Sequence, residues 1–204
     1  MSFRESFQHR EKLLAAAIEA FVGSGFEGAS INAILTTAGM SKGQFYHHFR
    51  DKEDLYFGVC EAMLDRKRAF FEAHPVPISD DPFEAIGNQL RAGIAFAKAN
   101  PDIDAFGRAF LRERGRPIFT AALRKFSLAD HSGLRDVLAR GFARGAFHSG
   151  FSPRFVVRAM SAVLTVVDDL LDADNPEAFE EGLSELVMFL RRGLGAGGST
   201  CSAR

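Results

Sequence analysis

Tryptophan is absent from these 204 residues, and cysteine occurs only twice, at Cys60 and Cys201. Two isolated thiols exclude a disulfide-built scaffold and are expected to be reduced. Neither sign of charge dominates: Lys and Arg total 25, Asp and Glu 26, for a net charge of −1. Bulk charge therefore advertises neither nucleic acid nor a membrane surface. No apolar run approaches the ~18 residues of a membrane span, and no leader segment opens the chain, so a cytoplasmic location without a membrane partner is expected. Alternating strand patterns are missing, which makes the fold class all-α. Catalytic signatures are missing as well: no Glu-x-x-His pair, phosphate-binding glycine loop, G-x-S-x-G elbow or Cys/His zinc spacing. No catalytic residue, cofactor or metal is assigned, and the chain is not expected to be an enzyme.

What is present is concentrated in residues 30–52, SINAILTTAGMSKGQFYHHFRDK. Ile31, Ile34, Leu35 and Ala38 share one helical face, and Gly39 is suited to the left-handed conformation that ends a helix. Met40 places an apolar plug in the turn. Ser41 and Gln44 have the spacing of a capping box that starts a second helix. On it Phe45 and Phe49 face inward, while Lys42, Gln44, Tyr46, His47 and His48 take the remaining faces. Asp51 is the expected N-cap of a further helix, with Glu53 and Asp54 at its positive end. This is a helix-turn-helix whose second helix has the size to enter a DNA major groove.

Charge supports that reading only locally. Up to position 52, Arg4, Arg10, Lys12, Lys42, Arg50 and Lys52 stand against Glu5, Glu11, Glu19, Glu27 and Asp51, but residues 40–50 contain no acid. Gln44 is suited to pair with adenine, and Gly43 would let the helix approach DNA closely. Lys42, Tyr46 and Lys52 are assigned to phosphates, and His47 and His48 to phosphate or base. As a metal pair the two histidines fail, since adjacent helical positions diverge.

The run A-G-x-S-x-G-x-F-Y-x-H-F-x-x-K-E-x-L, within a match over about residues 8–64, resembles the N-terminal domain of the TetR/AcrR family of bacterial transcription regulators. Ser30 stands where Thr is commoner and Leu35 where a small Ala is usual; the larger Leu35 should push the two helices slightly apart. The resemblance implies a homodimer on a palindromic double-stranded operator, more often repressing than activating, and released by a small hydrophobic or aromatic effector. The DNA-facing set is Ser30, Ser41, Lys42, Gly43, Gln44, Tyr46, His47, His48 and Lys52. An architectural or protein-binding module without a specific operator is the alternative.

Elsewhere the chain reads as a helix over 8–24 after a frayed 1–7, then helices over 51–73, 82–99, 101–113, 117–145 (breaking near 130–133), 153–173 and 176–194. Four of them open with a polar cap followed by proline, at Pro82, Pro101, Pro153 and Pro176. The expected division is a DNA-binding domain at 1–64, an effector-binding and dimerisation domain at 65–195, and a flexible tail at 196–204. Among 21 phenylalanines, Phe96, Phe106, Phe110 and Phe126 lie in helices that surround a pocket in the resembled family. Arg108 and Arg112 are either a solvated face or partners for a ligand anion. Phe155 and Leu164 on one apolar helix, with Phe179, Leu183, Leu186 and Leu190 on the last, are the expected four-helix dimer seam. Asp168, Asp169 and Asp172 make a poor metal site.

Overall fold

The computed structural model describes residues 3–127, 132–165, 167–172 and 175–196, the side chains at 132–134, 164–165, 168–169 and 176 excepted. All regular elements among them are helices: α1 (Arg10–Gly28), α2 (Ile31–Ala38), α3 (Lys42–His48), α4 (Lys52–Ala73), α5 (Pro82–Ala99), α6 (Pro101–Arg112), α7 (Pro117–Lys125), α8 (Ser132–Ala143), α9 (Pro153–Thr165), α10 (Val167–Leu170) and α11 (Pro176–Leu194). They divide into two compact units, Met1–His74 with Phe96–Asp130, and Pro75–Ala95 with His131–Arg204.

The first unit is built from local signals. Ser30 Oγ caps α2 by accepting from Ala33 N–H at 3.5 Å. Gly39 closes α2 at φ 65°. Its amide donates to Thr36 O and that of Met40 to Leu35 O, the paired bonds of a left-handed helix end. Asp51 caps α4, its Oδ1 accepting from Asp54 N–H at 2.7 Å. Leu13, Ala17, Ile18 and Phe21 of α1 meet Ile34, Leu35, Phe45, Phe49, Leu55 and Val59 in one apolar cluster.

Residues 3–7, expected to be frayed, are tied down. Phe3 is 1% exposed and its ring lies 4.9 Å from that of Phe49. Arg4 binds Asp65 through two parallel bonds of 2.8 and 2.9 Å and also pairs with Glu61. Arg10 Nε donates to the carbonyl of Phe3. Residues 3–8 are therefore a strap tied down by a buried ring and a forked ion pair, the two things a terminus needs to stay ordered. Gly58 on α4 makes the room: a Cβ there would lie 2.8 Å from Phe49 and 3.1 Å from Phe3.

In the second unit, Phe83, Ile86 and Leu90 of α5 pack with Leu138, Phe147, Val156, Met160, Phe179, Leu183 and Leu190. The proline starts hold, with Asp81 Oδ1 accepting from Phe83 N–H and Asn175 Oδ1 from Glu177 N–H. Asn100 departs: its side chain donates back to Phe96 O instead of capping α6. The expected helix over 117–145 is two, α7 ending before Ser127 at φ 53°. Of the tail, Ala196 donates to Ala146 O, and residues 197–204 lie outside the described ones.

Candidate nucleic-acid interface

The capping box forms: Gln44 N–H donates to Ser41 Oγ at 3.2 Å, and Ser41 N–H donates to Gln44 Oε1 at 2.9 Å. This anchors the first turn of α3 and commits one oxygen of Gln44, leaving its amide group as the donor for a base edge. Beside it Ser41, Lys42 and Gly43 are exposed, as is His47. Tyr46 is 58% exposed, with its ring edge-on to Phe45 at 5.2 Å. Ser30, at the start of α2, is exposed too.

Gly43 is informative. A Cβ there would meet only Ser41 Oγ at 4.0 Å, and its φ is not positive. Neither packing nor backbone requires glycine inside this helix, where it costs about 1 kcal/mol relative to alanine. Space for an external surface is the remaining use.

Two members of the expected set have partners inside the protein that the motif does not announce. His48 is half-buried and stacked on Phe7 of the strap at 4.0 Å, with Nδ1 buried and without a hydrogen-bond partner. An imidazole packed face to face on a phenyl ring is a packing residue here. Lys52 Nζ donates to the carbonyls of Glu27 at 2.9 Å and Ala29 at 3.1 Å, and lies 4.9 Å from the Phe26 ring. Its charge satisfies the open carbonyl end of α1. Neither role is legible in the motif, because the partners lie 23 or more positions away. Gln8, Met40, Gln44, His47 and His48 line one groove beside α3.

The residues expected to hold an effector are packed against other rings. Phe106 is buried against Tyr56 at 5.5 Å, Phe110 lies 4.8 Å from Phe119, Phe96 5.3 Å from Phe70, and half-buried Phe126 6.0 Å from Phe57. Arg108 pairs with Asp104, and Arg112 donates to the carbonyl of Val22. The seam expected on α11 is likewise spent: Phe179, Leu183 and Leu190 are buried within their own unit, with Leu186 packed beside them. A side chain already covered by its own protomer is no contact for a second one. The large apolar side chains that stay exposed among the described residues include Phe155 on α9 and Met188 and Phe189 on α11. The side chains of Leu164, Asp168 and Asp169 lie outside the described residues. Among the described residues there is no cluster of three or more metal-ligating side chains, and no helix is long and apolar enough to cross a membrane.

Comparison with known proteins bears on this geometry. The pattern of bacterial regulatory proteins of the tetR family matches residues 13–59, from α1 into α4. The chain is 36% identical over 60 residues to the transcriptional repressor AcnR of Corynebacterium diphtheriae, covering 29% of this chain and 32% of AcnR. It is 45% identical over 62 residues to the transcriptional repressor NemR of Escherichia coli, covering 30% of this chain and 29% of NemR. The chain thus spans about a third of the length of the curated relatives it matches. In fold the likeness extends further. A crystal structure of a TetR family transcriptional regulator from Chloroflexus aurantiacus superimposes with a TM-score of 0.73 at 21% identity, over 95% of this chain and 96% of that one.

Proposed function

We propose that this chain, a member of the tetR family of bacterial regulatory proteins through residues 13–59, is a sequence-specific DNA-binding transcriptional regulator. The observation that carries this reading is the exposed, acid-free face of α3, with Ser41, Lys42, Gly43, Gln44, Tyr46 and His47 projecting from a capped, well-packed helix. Lys42 and Tyr46 contact phosphates, and Gln44 with His47 reads base edges. A single such helix covers one half-site. A homodimer on an inverted repeat supplies the second, the usual geometry for a reading helix of this kind. The working division keeps residues 1–64 for DNA and 65–195 for effector and dimer.

Repression is favoured over activation because AcnR and NemR are both named repressors. Release by a small apolar effector fits the phenylalanine-rich interior around α6 and α7. Because those rings are paired with one another, such a ligand binds by parting them, and compounds of this kind raise the melting temperature. Selection of duplexes from a random library by the purified protein tests the main claim. An enriched inverted repeat, with half-sites on one face of the DNA, is the expected result. Binding without any enriched sequence favours the architectural module instead.

A further inference from the structure

Helix α1 is interrupted at Gly25, where φ is 68° and ψ is 178°, a combination open essentially to glycine alone. An unbroken helix would pair the amide of Phe26 with the carbonyl of Val22, four residues back. The break parts these two groups, and consecutive residues at the end of α6 take up both. Phe26 N–H donates to Glu113 Oε1 at 2.8 Å, and the Arg112 guanidinium donates to Val22 O at 2.9 Å. Glu113 is 4% exposed, the one buried charged residue among those described. Arg116 lies 3.2 Å from its second oxygen. A Cβ on Gly25 would stand 2.7 Å from Glu113 Oε1, so the glycine and the carboxylate are fitted to each other.

We propose that Arg112 and Glu113 splice this broken helix, and that the splice positions the helix-turn-helix for DNA. The inference rests on the DNA-binding reading above. Five residues after the break, Ser30 begins α2, so the backbone angle at Gly25 sets where the first helix of the motif starts. With the splice engaged, α1 stays bent. With it withdrawn, Gly25 is free to take helical angles, Phe26 N–H returns to Val22 O, and α1 continues straight through Gly28, carrying the lead into α2 with it. One backbone hydrogen bond then replaces two made by charged side chains, so the bent arrangement is the resting one and the straight one is reached when movement of α6 carries Arg112 and Glu113 away together. Movement at the end of α6 is thereby converted into movement of α2. Arg112 and Glu113 are positioning residues and do not touch DNA.

The test uses the full chain and the duplex that the wild-type protein enriches from a random library, well below the melting temperature. Glu113→Gln keeps an acceptor for the Phe26 amide and should bind within about twofold of wild type, since hydrogen-bonding capacity is retained. Glu113→Leu keeps the bulk and removes the acceptor; it should lose roughly tenfold or more in affinity, the usual scale for orphaning a buried partner. Gly25→Ala, disfavoured at φ 68° and crowding Glu113, should show a similar loss with helicity by circular dichroism unchanged or higher. In both weakened variants the backbone chemical shifts of residues 25 and 26 should move to helical values, which a general loss of stability would not produce. Should Glu113→Leu not fold, Glu113→Gln and Gly25→Ala decide between them. Folded Glu113→Leu or Gly25→Ala binding like wild type overturns the splice, as does Glu113→Gln failing as badly as leucine. If the wild-type protein enriches no sequence, the DNA-binding reading fails instead, and the chemical shifts alone judge the splice.

Discussion

Lys52 separates two accounts of the same charge. Its ammonium donates to Glu27 O and Ala29 O at 2.9 and 3.1 Å and lies over Phe26. Hydrogen bonds to a charged group contribute about 1.5–3 kcal/mol net. The site is half-buried, and both carbonyls regain water when the ammonium is removed, so the pair together is worth about 2 kcal/mol. The contact with Phe26 adds about 0.5 kcal/mol at such exposure. Lys52→Met keeps the apolar stem and removes the charge. Its loss of about 2–3 kcal/mol should lower the Tm by roughly 4–10 °C for a chain of this size. Meanwhile the dependence of DNA affinity on salt should keep its slope, because no phosphate contact has been lost. Thermal melts and binding titrations over a range of salt concentrations measure both quantities. An unchanged Tm with a slope reduced by about 0.9, the amount expected for one phosphate contact, would refute the carbonyl role and return Lys52 to the DNA.

Two further outcomes concern the strap over residues 3–8. Gly58→Ala should destabilise by about 1–2 kcal/mol in urea, overpacking against Phe49 and Phe3 outweighing the gain in helix propensity. Removing residues 1–3 in that background should recover part of the loss. The Asp65 carboxyl is held below the usual carboxylate range, chiefly by its hydrogen bonds from Arg4. A depressed folded value means that this contribution is complete above the ordinary carboxylate pKa of about 3.9 and is lost as the pH falls further. Amide protection in residues 3–8, relative to the intrinsic exchange rate, should therefore fall below that pH, and Asp65→Asn should reduce the dependence to what the Arg4–Glu61 pair alone supports.

What was legible in the sequence was whatever neighbours in the chain decide. Ser30, Ser41 and Asp51 cap the helices they precede, Gly39 closes α2, and the inner faces of α1 to α3 follow the helical repeat. Each of these signals acts across four or five residues. Asn100 aside, which turns back to Phe96 four residues away, the misreadings involve distant partners. Phe3 sits among polar residues, and only Gly58, far along α4, explains its burial. Lys52 has the same local pattern whether it faces phosphate or the end of α1. Glu113, a lone acid among Arg108, Arg112, Arg114 and Arg116, carries no local sign of burial, yet it is buried against the break at Gly25. On α11 the spacing of Phe179, Leu183, Leu186 and Leu190 correctly marks a buried stripe. Periodicity tells which face is covered, but the covering surface is its own unit.

That last distinction can be tested with two adjacent residues. Phe189 is 70% exposed, whereas Leu190 is 4% exposed inside the second unit. If a second copy of the chain covers the exposed face of α11, the Phe189 ring is buried once in each protomer. Covering an exposed phenylalanine contributes about 2 kcal/mol, or about 4 kcal/mol over a two-fold interface. Phe189→Asp should therefore weaken the dimer by roughly a thousandfold, leaving each protomer folded and its melting transition cooperative. Leu190→Asp places a charge without a partner inside the protomer's own core. The protomer itself should lose stability by several kcal/mol, with the dimer lost only as a consequence. Sedimentation equilibrium and circular dichroism on the two variants separate these effects. A folded monomer from Leu190→Asp, together with an intact dimer from Phe189→Asp, would exchange their roles and restore the leucine stripe as the seam between subunits.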